Sequence, residues 1–285
     1  MKALVLSGGG AKGAYQLGAY IGLHQQGYAP DCLVGTSVGA INGAFIASGS
    51  SPEEMRRAWL DIEGHVSKWR RDAWRFKSWS SLASTEPLRK YLQARIDWDA
   101  LNGPGIPFTC TAVNTATGEI ANWTREELTV EHLLASSAIP GLFPPITIGG
   151  QQFFDGGVVN NTPLRPAIRA GATHVLAIMA HPLQRCVPEE ARNIPEVLAR
   201  VTELHHYQAL NREIRRGLES NEFLKKHRFW RKRRPIAFRW MGPSEPLEGN
   251  LMDFKRAKIA SWLARGEADG AKYNWQEDPA PGKKR

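Results

Sequence analysis

Residues 1–48 alternate short apolar runs with glycine-rich turns and helix-like stretches, and this alternation constrains the fold more than any other feature. Ala3 to Leu6 reads as a buried strand that ends at Gly8-Gly9-Gly10. Tyr15, Leu17, Tyr20, Ile21 and Leu23 then recur as on one face of a helix, which Gly27 closes. A second apolar run, Cys32 to Val34, ends at Gly35-Thr36-Ser37-Val38-Gly39, and a helix rich in small residues follows from Val38 to Ser48. Two strands so close in sequence, joined through a helix, pair in parallel.

The alternation continues along the chain. Ser51-Pro52 starts a third helix, and a short one follows near Pro87 to Ala94. Two strands are joined at Thr117-Gly118, and "VEHLLASSA" is helical and stops before Pro140. A hairpin turns at Gly149-Gly150 and ends at Asp155. After it come the helix "TPLRPAIRAG", the buried strand "THVLAIMA", a long charged helix over about 194–226, a strand at Ile236 to Trp240 and the closing helix "LMDFKRAKIASWLARG". The expected architecture is α/β, a three-layer α/β/α sandwich with a mostly parallel central sheet. Residues 1–275 are expected to form one domain, with 276–285 a disordered tail.

The composition, 42% hydrophobic and 23% charged, suits a globular α/β chain, and no apolar stretch approaches the ~18 residues that span a bilayer. The N-terminal apolar core is only Ala3 to Leu6, too short for a leader, so a cytoplasmic protein is expected. Cys32, Cys110 and Cys186 lie far apart without a Cys-x-x-Cys pair, which argues against a disulfide framework and against a zinc site. The formal net charge is +9, and two segments, 67–79 and 225–240, interleave Lys and Arg with Trp69, Trp74, Trp79, Trp230 and Trp240. Such segments suit an anionic surface, either a lipid headgroup layer or a nucleic-acid backbone, and the tryptophans favour peripheral contact with an anionic membrane. Residues 65–85 have no clean period and read as a surface insertion.

Gly8-Gly9-Gly10-Ala11-Lys12-Gly13 follows a strand and opens a helix, so it matches the dinucleotide fingerprint literally. That fingerprint needs a carboxylate at the end of the second strand, whereas Asp31 lies before it. A phosphate loop of the Walker type fails because Lys12 precedes its glycine. Three bare glycines at a helix N-terminus do suit an anion, and a transient oxyanion fits.

Ser37 sits in the strand–turn–helix context of a nucleophile elbow, with Gly35 and Gly39 leaving room for a tight turn. Strand C-termini gather at one edge of a parallel sheet, which brings Ser37 beside the glycine loop. For a base, a Ser-His-Asp order offers His174 or His181. Asp155, followed by Gly156-Gly157, is either a turn aspartate or a carboxylate that another group can approach closely. "AIPGLFPPI" (138–146) either lines an acyl groove or packs in the core.

The segments "SGGGAKGAYQLGA", "GTSVGAINGA", "ASSAIPGLFPPI" and "FFDGGVVNNTP" occur in the order and spacing of the patatin-like phospholipase family, and the closing helix resembles that family's own. The resemblance implies a Ser-Asp dyad without a catalytic histidine: Ser37 as nucleophile and Asp155 as base. It also implies oxyanion donors from Gly8, Gly9 and Gly10, with Lys12 in the family's basic position of that loop. The implied activity is acyl-ester hydrolysis of a phospholipid or related lipid, without metal or cofactor. The two basic segments lie outside the family pattern. Two other classes fit less of the sequence: a nucleic-acid- or membrane-binding adaptor on an inactive hydrolase scaffold, and an NAD(P)-dependent oxidoreductase. The intact serine, aspartate and glycine loop argue against the first, the missing ribose carboxylate weakens the second, and no nucleic-acid partner is expected.

Overall fold

The computed structural model describes residues 1–66, 68–69, 81–182, 194–226 and 235–276. In chain order the strands are β1 (Lys2–Leu6), β2 (Cys32–Thr36), β3 (Lys68–Trp69), β4 (Ala83–Ser84), β5 (Phe108–Asn114), β6 (Ile120–Thr124), β7 (Ile146–Ile148), β8 (Gln151–Asp155), β9 (His174–Ile178) and β10 (Ala237–Met241). The helices are α1 (Gly13–Gln25), α2 (Val38–Ala47), α3 (Pro52–Leu60), α4 (Glu86–Arg95), α5 (Trp98–Asn102), α6 (Val130–Ser136), α7 (Leu164–Arg169), α8 (Ile194–Lys226) and α9 (Arg256–Lys272). The main sheet runs β10-β9-β1-β2-β5, all parallel, and β8 then β7 extend it antiparallel.

Alternation along β1 separates two cores. Leu4 and Leu6 face the one built with α1, α2 and α9, while Ala3 and Val5 face the one built with α7 and α8. This is the expected three-layer α/β/α sandwich.

The pairing of β5 decides where chemistry can occur. β6 pairs with Thr109 through Val113, which occupies one edge of β5. β2 pairs with Phe108 through Thr111 and β8 with Ala112 through Asn114, and both overlap β6 in register, so they share the other edge. There Thr36 lies opposite Thr111 and Asp155 opposite the next residue, Ala112. The ends of β2 and β8 therefore meet head to head, which brings two residues 118 positions apart (155 − 37 = 118) side by side.

Helix α1 departs from the one-faced amphipathic helix that its spacing predicts: every residue from Gly13 to Leu23 is buried. The reason is α9, which covers its outer face at backbone distance. A Cβ on Gly18 would overlap the Leu263 carbonyl, and one on Gly266 the Tyr15 carbonyl. The closing helix also starts later than expected, because Leu251 is spent on a backbone bond from Ala11 N–H to its carbonyl, at 2.8 Å. The hairpin turn matches expectation: Gly149 and Gly150 both have positive φ, 56° and 76°, as a two-residue turn of the primed kind requires.

Most of the basic segment 67–79, all of 227–234, Cys186 and residues 277–285 lie outside the described residues. The end of the second basic segment is strand β10. Ile236, Phe238 and Trp240 pack against the core under α7 and α8, with β10 paired to β9. No helix of the described residues is long and apolar enough to cross a membrane.

Candidate active site

Ser37 stands between β2 and α2 with φ 57° and ψ −129°, the one positive-φ residue besides glycine among those described. Holding a side chain there costs on the order of 1–3 kcal/mol, so the surroundings must enforce it. They do so through contacts that only glycine permits. A Cβ on Gly35 would overlap the Gly39 carbonyl, and one on Gly39 would overlap the Leu6 carbonyl. The Ser37 N–H donates to Ser136 Oγ at 2.8 Å, and that hydroxyl donates to the Thr111 carbonyl at 2.7 Å.

Ser136, at the end of α6, thus braces the elbow from β5, a role its sequence context did not reveal. Ser136→Ala would leave a buried N–H without an acceptor, and chemical denaturation is expected to show a loss of about 1–3 kcal/mol. Unchanged stability would remove the brace.

Asp155 ends β8 and is buried. Its Oδ1 accepts the Gly157 N–H at 2.7 Å, and the Ser37 hydroxyl is near enough to favour its charged form. Its own N–H donates to the Ala138 carbonyl at 3.0 Å. Burial pushes the carboxyl up to about 6, and the nearby Ser37 hydroxyl and the Gly157 N–H only partly offset that. A Cβ on Gly156 would sit 2.8 Å from the Thr111 carbonyl, so this turn needs glycine to close on β5.

The glycine loop corrects one expectation. Gly8 N–H is not available to a ligand, because it donates to the Asn161 carbonyl at 3.0 Å. Gly8 is needed for space instead: a Cβ there would overlap Asn161 Oδ1 and sit 3.2 Å from the Ser37 Cβ. Ala11 N–H is taken by Leu251, and Lys12 N–H donates to the Gly9 carbonyl at 3.1 Å. Among the described residues, Gly9 N–H and Gly10 N–H have no protein acceptor. Gly13 lets α1 close on α2, since a Cβ there would overlap Val38.

Beneath the loop, Gln16 Nε2 donates to the Ser7 and Ile178 carbonyls at 3.1 and 2.9 Å. Asn42 Nδ2 donates to the Gly13 carbonyl and to Gln16 Oε1, both at 3.0 Å, and Trp59 Nε1 donates to Asn42 Oδ1 at 2.9 Å. A buried network with its partners satisfied in this way fixes a loop in one conformation.

The histidines separate cleanly. His174 opens β9, in register with Lys2, at the sheet edge opposite Ser37. His181 lies behind Gly9, and burial together with Lys12 and His206 pushes its imidazole down to about 3. His206, on α8, places Nε2 2.8 Å from the Gly157 carbonyl. Asp31 accepts the Lys2 N–H at 2.6 Å, also at the far edge, so it cannot hold a ribose beside the glycine loop.

Several known proteins are similar to this chain. The lysophospholipase NTE1 of Debaryomyces hansenii is 27% identical over 184 residues, which cover 61% of this chain and 11% of that protein. The NTE1 lysophospholipase of Kluyveromyces lactis is 30% identical over 186 residues, 61% of this chain and 12% of that protein. The chain thus spans about a tenth of the length of the curated relatives it matches. The crystal structure of VipD from Legionella pneumophila superposes with TM-score 0.46 at 14% identity, covering 95% of this chain and 66% of that one. A family model for patatin-like phospholipases matches residues 4–168, from the first strand through the aspartate turn. Spanning more than half of the sequence, that match shows that the chain belongs to the patatin-like phospholipase family.

Proposed function

We propose that the protein is a lipid acyl hydrolase acting through Ser37 and Asp155. The observation that carries this is Ser37 set beside the buried Asp155 carboxyl by strand register, in a strained elbow beside two uncommitted backbone N–H groups. Asp155 accepts the hydroxyl proton as Ser37 Oγ attacks the ester carbonyl. Gly9 and Gly10 N–H receive the oxyanion, and losing one such donor typically costs about 2.7–4 kcal/mol. The tetrahedral adduct collapses, the alcohol leaves with the proton held by Asp155, and acyl-Ser37 remains. Water then gives a proton to Asp155 as it attacks the acyl carbonyl, and the fatty acid departs as Ser37 recovers its hydrogen.

The relatives' name puts lysophospholipids first among the substrates to test, with diacyl phospholipids and short-chain esters beside them. Fatty-acid release from any of these by the wild-type chain is the expected result. An inert protein on all three would contradict the proposal.

The same reading includes docking on a lipid surface. Val158 and Val159 follow the aspartate turn and are 44% and 38% exposed, and Val197, Val201 and Leu204 form an exposed apolar stripe on α8. With a net charge of +9 the chain should prefer anionic bilayers. Flotation with vesicles is expected to show stronger binding to anionic than to neutral lipid, weakened by salt. Equally weak binding to both would remove the docking.

A further inference from the structure

We propose that His206 is a positioning residue: its Nε2–H holds the Gly157 carbonyl, and through that residue it keeps the Gly157 N–H aimed at Asp155. The inference rests on the dyad reading and adds a residue from outside the matched family segment, since residues 4–168 end well before α8.

The geometry is a short chain of bonds. His206 Nε2 lies 2.8 Å from the Gly157 oxygen, and Gly157 N–H lies 2.7 Å from Asp155 Oδ1. A carbonyl oxygen only accepts, so Nε2 must carry the hydrogen. Gly157 is crowded on every side: a Cβ there would sit 3.0 Å from both Asp155 Oδ1 and Asn161 Oδ1 and 3.8 Å from His206 Nε2. A glycine without a side chain has wide φ/ψ freedom, so an outside group must fix the peptide on which Asp155 depends.

Helix α8 makes a second tie on the same face. Glu213, seven residues on, pairs with Arg165 of α7 at 2.7 Å. Leu210, between the two, is buried in the core with α7. Leu210 and Glu213 therefore hold α8 against α7, and His206 reaches from it to the turn that carries Asp155.

The charged and titratable groups facing His206 are His205 and Glu203 on its own helix and His181 from beyond β9, itself beside Lys12. Burial lowers the His206 pKa, so the ring favours the neutral Nε2–H form, and protonation would add a hydrogen at Nδ1 without removing the bond. The acid limb of activity then belongs to Asp155.

The test compares His206→Gln, whose amide nitrogen reaches where Nε2 lies, with His206→Asn, whose amide stops near Nδ1. Both are assayed as the full chain on a short-chain ester, with kcat, KM and the pH profile measured. His206→Asn is expected to lower kcat about tenfold at unchanged KM, the effect of one lost buried hydrogen bond. Its acid limb should move upward, because the Gly157 N–H that favours ionised Asp155 is loosened. His206→Gln is expected to stay within about twofold of wild type on both measures, since it restores the donor.

Equal kinetics for wild type and His206→Asn would overturn the inference alone. So would a loss of kcat in both variants with no movement of the acid limb, which marks a merely structural contact. An inert wild type would overturn the dyad reading, and the inference with it.

Discussion

Ser37→Ala and Asp155→Asn are each expected to reduce kcat for ester hydrolysis by on the order of 10⁴-fold, and the double variant is expected to lose no more than the worse single one. The two groups perform one act: the hydroxyl supplies the electron pair and the carboxylate takes the proton. Once either is missing, the other has nothing to do. What remains comes from the oxyanion donors and substrate binding. Both variants should fold. Alanine keeps the Cβ and the same strained backbone, and the amide oxygen introduced by Asp155→Asn can still accept the Gly157 N–H that Asp155 Oδ1 now accepts. Steady-state kinetics with circular dichroism on each variant checks this. Independent, additive losses would show that the two residues do not act as a unit.

The second large effect is a pH dependence in which activity and stability move in opposite directions. With the Asp155 carboxyl at about 6, the base is ionised above that value, and kcat/KM should fall tenfold per unit below it. For stability, the folded pKa lies above the unfolded value of about 3.9, so the folded chain binds this proton more tightly. This contribution is therefore neutral below about 4, becomes a cost as pH rises toward 6, and reaches about 3 kcal/mol above that.

Asp155→Asn removes the cost. It is expected to be more stable than wild type above about pH 7 by up to about 3 kcal/mol, and nearly equal to it at about pH 4. Urea denaturation at the two pH values measures the difference. A variant less stable than wild type at the higher pH would mean that the buried carboxylate is not costly.

Much of this site could be read along the chain because its parts are local. The elbow at Gly35 to Gly39 follows from an apolar run, two glycines and a helix, and the hairpin ending at Asp155 follows from Gly149-Gly150. What could not be read depends on register between distant segments. Gly8 looks like a third donor until β1 ends beside Asn161, whose carbonyl takes its hydrogen. Ser136 is one serine among several until α6 sets it under Ser37. His206 lies in a charged stretch with the pattern of a solvated helix, and only the packing of α8 against the aspartate turn gives it a partner. The one-faced pattern predicted for α1 failed for the same reason, since glycines on α1 and α9 allow the helices to touch by backbone.

The central claim is that Ser37 carries the acyl group between two half-reactions. The most direct measurement is mass spectrometry of the protein quenched during turnover of an activated fatty-acyl ester, with the adduct mapped by peptide. The expected result is an acyl mass on the peptide containing Ser37 in wild type, and none there in Ser37→Ala. An acyl mass on another residue, or turnover with a burst of product and no adduct on Ser37, would contradict it.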